Sequence, residues 1–290
     1  MLVKPDCIPC LLKGSLAAIR VSTDDPDVEK SIAADILNIP EIRNNNWQIL
    51  SPELYEKAIT IIKHRSGLYD PFAGLKEKQN KRAMELYPKF KARVAESDDP
   101  LMAAVKLAIM GNHSDLLMFE NSSDLANHID KALQANLPQD IWRAFKEKLK
   151  KGKTILYFGD NAGEIVLDRI LIELIRERYE NEVVYVVKKE AALNDSTMKE
   201  GLQVGMDQVA TLIGNGIDGP LPGTIISRCS REVQRLFKGA EMIISKGGGN
   251  YDSLDEEDSN RSNIFFMLLA KCYPYCRVFN THLFSYVLAT

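Results

Sequence analysis

Short β-rich runs alternate with amphipathic segments through the second half of the chain, and this alternation constrains the fold more than any other feature. The strands are predicted at Thr154–Phe158, 182–188, 208–213, 241–245, 277–280 and Tyr286–Ala289. The helices between them are predicted at 162–179, 196–201, 224–238 and 263–271. Strands that alternate with helices in this way predict βαβ units and a mostly parallel sheet.

The frequencies of glycine and valine change near residue 150. Residues 1–150 hold four of the 17 glycines, and valine rises from five before this point to ten after it. The first part is typical of helices, and the second of strands joined by tight turns. Helices are predicted at Pro26–Leu37, 52–64, 76–95 with a break at Pro88, Pro100–Met110, 125–135 and 139–150. We therefore predict a helical region over 1–150 and an α/β domain over 151–290.

The composition excludes several classes of protein. With 290 residues, 45% hydrophobic and 27% charged, the chain has an ordinary globular composition. A net charge of −3 argues against a nucleic-acid partner. The longest apolar run, 264–270, is too short to span a bilayer, and residues 1–20 do not fit a secretory signal. Five cysteines are few for this length, so we predict a reduced, cytoplasmic setting.

Polar residues follow the first two predicted strands of the α/β domain. Asp160 and Asn161 follow the first strand, and Asp195 follows the second. Carboxyl ends of parallel strands meet at one edge of the sheet, where ligands bind. An aspartate in one such loop is more often a helix N-cap, but two acids at one edge need a partner. Oxygen donors of this kind suit Mg²⁺ or Mn²⁺, so the three residues are predicted metal ligands.

A lysine followed by three glycines ends the fourth predicted strand. Backbone N–H groups of the glycines at 247–249 can approach an anion, and Lys246 supplies a point charge. A flexible turn beside a solvated lysine is the alternative. Residues 214–219 formally match G-x-G-x-x-G, but Pro220 follows where a dinucleotide fingerprint opens a helix. We therefore assign an anion contact to Lys246 and a loop to 214–219.

Cys7 and Cys10 form a C-x-x-C motif. Zinc sites usually have four ligands, and the other close pair is Cys272 and Cys276. The sequence does not say whether the two pairs meet. Zinc binding, a redox role and buried free thiols all stay open.

Seven short motifs occur along the chain, each of them once. They lie at 7–11, 70–72, 111–115, 160–164, 194–197, 222–224 and 245–251. Together they resemble the damage-control phosphatase family, long called domain of unknown function 89. The C-x-x-C at the start resembles the prokaryotic and archaeal branch of that family.

This resemblance implies a fold and an activity. The fold is α/β: a Rossmann-like three-layer domain with a mostly parallel sheet, plus an N-terminal helical region. The activity is metal-dependent hydrolysis of small phosphorylated metabolites such as sugar phosphates, with Mn²⁺, Co²⁺, Ni²⁺ or Mg²⁺ on Asp160, Asn161 and Asp195. The partner is then a small metabolite, with neither nucleic acid nor membrane involved, and the oligomeric state stays open.

The resemblance also implies roles for individual residues. The catalytic residues are Asp160, Asn161, Asp195 and Lys246. The substrate and phosphate contacts are Asn112, Asp115, Glu164, Asn194, Lys246, Gly247, Gly248 and Asn250. The attacking group is either a water or a carboxylate. The chain departs from the family at Gly248, where glutamine is frequent, and at Glu200, where aspartate is common. These departures bear on substrate choice more than on the metal site.

Two other functions remain open at this point. An S-adenosylmethionine-dependent carboxyl methyltransferase could use a βαβ domain with acidic strand ends, but it would need neither three oxygen ligands nor Lys246. A non-enzymatic metal- or phosphate-sensing module would bind without turnover. A haloacid-dehalogenase-type phosphatase is disfavoured because Asp160 is not followed by the expected Asp-x-Asp pattern.

Overall fold

A computed structural model describes residues 1–114, 125–255 and 262–290. Its strands are β1 (Thr154–Phe158), β2 (Glu182–Val187), β3 (Thr211–Gly214), β4 (Met242–Lys246), β5 (Ile264–Leu269) and β6 (Tyr286–Ala289). Its helices are α1 (Cys7–Arg20), α2 (Pro26–Leu37), α3 (Pro40–Arg43), α4 (Ser51–Ser66), α5 (Ala73–Ala95), α6 (Pro100–Met110), α7 (Ile129–Gln134), α8 (Gln139–Lys151), α9 (Glu164–Arg178), α10 (Met198–Gln203), α11 (Arg231–Gly239), α12 (Gly247–Leu254) and α13 (Tyr273–Val278).

The six strands form one sheet in the order β3-β2-β1-β4-β5-β6. The first five strands in this order, β3, β2, β1, β4 and β5, run parallel to their neighbours. The last strand, β6, pairs antiparallel with β5. The strand order reverses between β1 and β4, which makes this the topological switch point where ligands bind in open α/β sheets. The predicted α/β fold with a mostly parallel sheet is confirmed.

Helices cover both faces of the sheet and complete a three-layer sandwich. Side chains alternate along β1, so that Ile155 and Tyr157 join a core with α6, α8 and α9, while Leu156 and Phe158 join a core with α11, α12 and α13. Helix α5 packs outside α9. The first of these cores contains residues from both sides of residue 150, because it includes side chains of α6 and α8 as well as of β1 and α9. The division of the chain into regions 1–150 and 151–290 stays a prediction.

Helices α1, α2 and α4 form a smaller group with its own core. Leu11, Ile32 and Ile59 are buried within it, and Leu193, from the loop after β2, packs against the same core. This contact seats the N-terminal helices on a loop at the carboxyl end of the sheet. The group therefore closes one side of the region where the polar loops meet.

Capping side chains mark the start of two of the predicted helices, α2 and α6. Asp25 accepts hydrogen bonds from the backbone N–H groups of Asp27 and Val28, and Pro26 is the first residue of α2. Asp99 caps α6 in the same manner. The predicted break at Pro88 is wrong, since α5 continues through it. No helix in the described parts of the chain is both long and apolar enough to cross a membrane.

Two other predictions of secondary structure are wrong near the C-terminal end of the chain, and one helix at the N-terminal end was missed. The predicted helix at 263–271 is strand β5, which is buried on both faces and so lacks the alternation that marks a half-buried strand. The predicted strand at 277–280 overlaps the end of α13, which Pro274 starts in its first turn. Helix α1 was not predicted at all.

Candidate active site

The loops after β1 and β2 are joined through their backbones. Asn161 and Asp195 form an isolated antiparallel bridge. The N–H of Ala162 donates to the carbonyl of Asn194 over 2.9 Å, and the N–H of Ser196 donates to the carbonyl of Asp160 over 2.7 Å. The predicted ligands Asp160, Asn161 and Asp195 therefore lie together at the carboxyl end of the sheet.

These three residues open onto a cavity of about 140 Å³. The predicted site residues on its wall are Asp160, Asn161, Asn194, Asp195 and Gly248. Other wall residues include Cys7, Cys10, Tyr55, Asp252, Lys271, Cys272 and Tyr275. The cavity thus lies between the strand ends, the N-terminal helices and the segment after β5.

The Asp160 carboxylate is buried, with 7% of the residue exposed. Its Oδ2 accepts hydrogen bonds from the side-chain amides of Asn112, over 3.0 Å, and Asn161, over 2.7 Å. Burial raises the pKa of Asp160 well above its ordinary value, and the charges of Asp195 and Glu164 raise it further. Acidic groups held this close repel one another, so a bound cation would stabilise their ionised forms.

Lys188 lies next to Asp160 and Asp195, which form the acidic pair of the site. Its Nζ donates to the Gly223 carbonyl over 3.0 Å and to Asn250 Oδ1 over 2.9 Å, and it lies 3.6 Å from Asp195 Oδ2. Asn250 in turn donates to the carbonyls of Gly159 and Lys246. Lys188 was not predicted as a site residue, although a lysine that ends a buried strand is a signal for a buried anionic partner.

Lys246 points away from the cavity. It is fully buried, and its Nζ donates to the Ala108 carbonyl over 2.9 Å, to Glu164 Oε1 over 2.7 Å and to Asp168 Oδ1 over 2.5 Å. Burial disfavours the charge of Lys246, but Asp168 and Glu164 outweigh it and leave the pKa raised. The structure therefore does not bring Lys246 to the wall formed by Asp160 and Asp195.

Glu164 links this buried lysine to the cavity wall. Its Oε2 accepts hydrogen bonds from the amides of Asn112 and Asn161 over 3.0 and 2.9 Å. The same two amides donate to Asp160, so Lys246, Glu164 and the amides form one connected network under the acidic pair. Gly247 is required beside this network, because its φ is +76° and a Cβ there would collide with the Asp160 carboxylate.

Of three further predicted site residues, two are described by the structure and one is not. The Asn194 amide donates to the Ser114 carbonyl over 3.2 Å, which ties the cavity wall to the segment after α6. Asn112 lies in the supporting network rather than on the wall. Asp115 falls outside the described residues.

Lys271 is a cation on the cavity wall that was not predicted from the sequence. It follows β5, and its charge acts to lower the pKa of Asp160, in opposition to the effect of burial. The signal was available, because Lys271 directly follows a continuous apolar run. Assigning that run to a helix removed Lys271 from the set of strand ends.

Comparison with known proteins identifies the family to which this chain belongs. The pattern of the damage-control phosphatase ARMT1-like domain matches residues 3–285. The chain belongs to this family. Membership supports a phosphatase-type enzyme, and the matched range includes both the N-terminal helices and the whole parallel part of the sheet.

Individual relatives match over nearly their full length. An uncharacterised protein from Methanocaldococcus jannaschii is 33% identical, over 94% of this chain and 90% of its own. A damage-control phosphatase from Pyrococcus horikoshii is 32% identical, over 94% and 92%. The crystal structure of a duf89 family protein from Pyrococcus horikoshii aligns with a TM-score of 0.84 at 28% identity, covering 99% of this chain and 98% of that one. The arrangement of helices around the sheet is therefore that of the family.

Proposed function

We propose that this protein is a divalent-metal-dependent phosphomonoester hydrolase that acts on small phosphorylated metabolites such as sugar phosphates. One observation carries the proposal: backbone pairing holds Asp160, Asn161 and Asp195 together on the wall of a cavity at the switch point of the sheet. Membership of a phosphatase family supports it. The size of the cavity, about 140 Å³, favours a small substrate.

The donor set fits a hard divalent cation. Asp160 and Asp195 supply carboxylate oxygens at a point where their charges repel each other, and Asn161 supplies an amide. Oxygen ligands of this type suit Mg²⁺, Mn²⁺ and related ions. When bound, Mn²⁺, Co²⁺, Ni²⁺ or Mg²⁺ would polarise a phosphoryl oxygen as a Lewis acid.

The rest of the cavity would bind and orient the phosphoryl group. Lys271 lies on the wall with the acids, and Gly248 and Gly249 lie in the first turn of α12, where backbone N–H groups favour an anion. Such fixed donors stabilise charge that develops on phosphoryl oxygens. Beneath them, the amides of Asn112 and Asn161 hold the Asp160 carboxylate in place. In this proposal Lys246 supports the site through Glu164.

Phosphate release after metal removal tests the proposal. The purified protein is stripped with EDTA, given one of the four metals, and assayed with sugar phosphates and p-nitrophenyl phosphate. We expect metal to restore hydrolysis and Asp160→Ala to abolish it, while Asp207→Ala, which removes an exposed carboxylate, leaves the rate unchanged.

The remaining outcomes identify the other candidate functions. Metal binding by calorimetry without turnover would contradict the hydrolase and favour the sensing module. Neither binding nor turnover would remove the basis for the metal site, and methyl transfer to carboxyl groups would be assayed next. Full activity of Asp160→Ala at saturating metal would show that this carboxylate is not a ligand.

A further inference from the structure

Three cysteines from distant parts of the sequence meet at the proposed active site. Cys7 and Cys10 lie in the first turn of α1, and Cys272 directly precedes α13. All three line the cavity that holds Asp160. Cys276 instead packs against the core under α13, and Cys229 is buried in that core. The structure thus answers what the sequence left open: one member of the C-terminal pair joins the C-x-x-C.

None of the five cysteines forms a disulfide, and the three thiols differ in their surroundings. The hydroxyl of Tyr55 donates to Cys10 Sγ over 3.0 Å, which stabilises negative charge on that sulfur. Burial raises the pKa of Cys7, and it raises that of Cys272 to about 12, so these two thiols stay protonated near neutral pH. Cys10 is therefore the thiol from which a reaction would start.

We propose that Cys7 and Cys10 form a thiol–disulfide exchange site whose oxidation by a low-molecular-weight disulfide weakens substrate binding in the active-site cavity. The inference rests on the proposed function for its effect on catalysis. It rests on the shared cavity and the C-x-x-C spacing for the chemistry itself. No step involves the metal site.

The exchange proceeds in two balanced steps. Cys10 releases its proton to solvent, its thiolate attacks one sulfur of the small disulfide, whose S–S bond breaks, and the first small thiolate leaves and takes up a proton from solvent. The Cys7 sulfur then attacks Cys10 in the mixed disulfide, forming the Cys7–Cys10 bond and releasing the second small thiol with the Cys7 proton. The two protein thiols are oxidised, and the small disulfide is reduced to two thiols.

Cys7 is better placed than Cys272 for the second step. Residues three apart on a helix have Cβ atoms about 5–6 Å apart. A disulfide brings its Cβ atoms to about 3.8 Å, so the first turn of α1 must tighten by roughly 1–2 Å. Cys272 belongs to another segment and has no such fixed spacing to Cys10.

That tightening changes the wall of the cavity. Cys10 would leave its hydrogen bond to Tyr55, and Cys7 would leave those it makes with Ser51 and the Lys4 N–H. Tyr55 and Ser51 both line the cavity. Oxidation therefore displaces residues on the wall of the cavity that Asp160 and Asp195 also line, and it acts on substrate binding.

Treatment of the purified protein with oxidised glutathione tests the proposal. Intact mass and peptide mapping measure the oxidation state of the thiols. Steady-state kinetics with the best substrate measure the KM, which reports substrate binding in the cavity. We expect the loss of two hydrogens within peptide 7–10, a rise in KM of about tenfold from displaced positioning groups, and recovery with reductant. Cys7→Ser should stop at a mixed disulfide on Cys10, and Cys10→Ser should not react. Cys229→Ser, altered in the core, should behave as wild type.

Other results overturn the proposal. It fails if the wild type stays reduced, if Cys10→Ser reacts as the wild type does, or if oxidation leaves KM unchanged. The mass measurement needs no turnover, so it separates failure of the dithiol from failure of the phosphatase. If the reduced protein hydrolyses nothing, the affinity for inorganic phosphate with Mn²⁺ replaces KM. An equal affinity before and after oxidation then contradicts the proposed effect on binding.

Discussion

The ammonium group of Lys246 donates to the Glu164 carboxylate over 2.7 Å, and both side chains are completely buried. Asp168 accepts from the same ammonium group, and the hydroxyls of Tyr157 and Tyr185 complete its hydrogen bonding. Two buried carboxylates thus share one buried cation. The pair joins β4 to α9 directly beneath the proposed metal ligands.

Replacing this lysine should destabilise the protein. In Lys246→Met the methylene stem remains, but Glu164 and Asp168 lose their shared cation inside the core. Breaking a buried ion pair in this manner costs about 3–5 kcal/mol. Urea unfolding of the metal-free protein measures the loss.

A surface ion pair provides the control for Lys246→Met. Lys91 pairs with Glu173 over 2.8 Å, and about half of the lysine side chain is exposed. Exposed pairs contribute about 0–1 kcal/mol, so Lys91→Met should change the free energy of unfolding little. A stable Lys246→Met that has lost only phosphate affinity would instead support the phosphate contact predicted from sequence.

Lys246 also shows where sequence reasoning succeeds and fails. A lysine before three glycines predicts an anion contact, and the lysine does contact anions, but they are the protein's own. Glu164 and Asp168 lie four residues apart on a helix whose neighbouring positions are apolar. Two acids on a buried face require a cation, and this signal was present. Which strand end supplies that cation depends on the sheet order, which the sequence does not state.

The acidic pair was easier to predict than the rest of the cavity. Asp160 and Asp195 follow strands that the sequence marks clearly, and parallel strands must end at one edge. Lys271 was missed because β5 is buried on both faces and its pattern cannot be told from a buried helix. The cysteines were seen, but their meeting depends on how α1 packs against the segment after β5.

Gly247 should not tolerate a side chain. Its φ is +76°, and a Cβ would strike the Asp160 carboxylate. Gly247→Ala should lose about 1–2 kcal/mol of stability from the left-handed backbone alone. It should also weaken Mn²⁺ binding, because the carboxylate is displaced. Calorimetric titration with Mn²⁺ and urea unfolding check both effects.

The matched control for Gly247→Ala is Gly239→Ala. Gly239 is the last residue of α11, and a Cβ there would meet no atom within 4 Å. This variant should bind Mn²⁺ normally and be as stable as the wild type, or more stable by up to about 1 kcal/mol. Normal metal binding by Gly247→Ala would show that a methyl group at this position does not displace the Asp160 carboxylate.

Asp252 should make the stability depend on pH. Burial raises its pKa from 3.8 to about 7, and the hydroxyl of Tyr275 donates to it over 3.0 Å. The folded state favours the protonated form of Asp252. Its contribution to the free energy of unfolding is therefore complete below the unfolded pKa of 3.8 and is lost as the pH rises through the folded pKa of about 7. The slope from one such proton reaches at most about 1.4 kcal/mol per pH unit.

Urea unfolding at about pH 5 and about pH 8 measures this dependence. The wild type should lose more stability between these values than Asp252→Asn, in which the titrating group is gone. Asp207→Asn removes an exposed carboxylate and should keep the wild-type slope. Equal slopes for wild type and Asp252→Asn would assign the dependence to other groups.

Lys271, rather than Lys246, should determine the affinity for phosphate. Lys271 lies on the cavity wall, whereas Lys246 is fully buried in its own ion pairs. Lys271→Met should raise KM about tenfold, the equivalent of one charge-assisted hydrogen bond. Its unfolding free energy should change far less than that of Lys246→Met. Lys150→Met, at an exposed position on α8, should leave KM unchanged. An unaltered KM in Lys271→Met would leave phosphate binding to the first turn of α12 at Gly248 and Gly249.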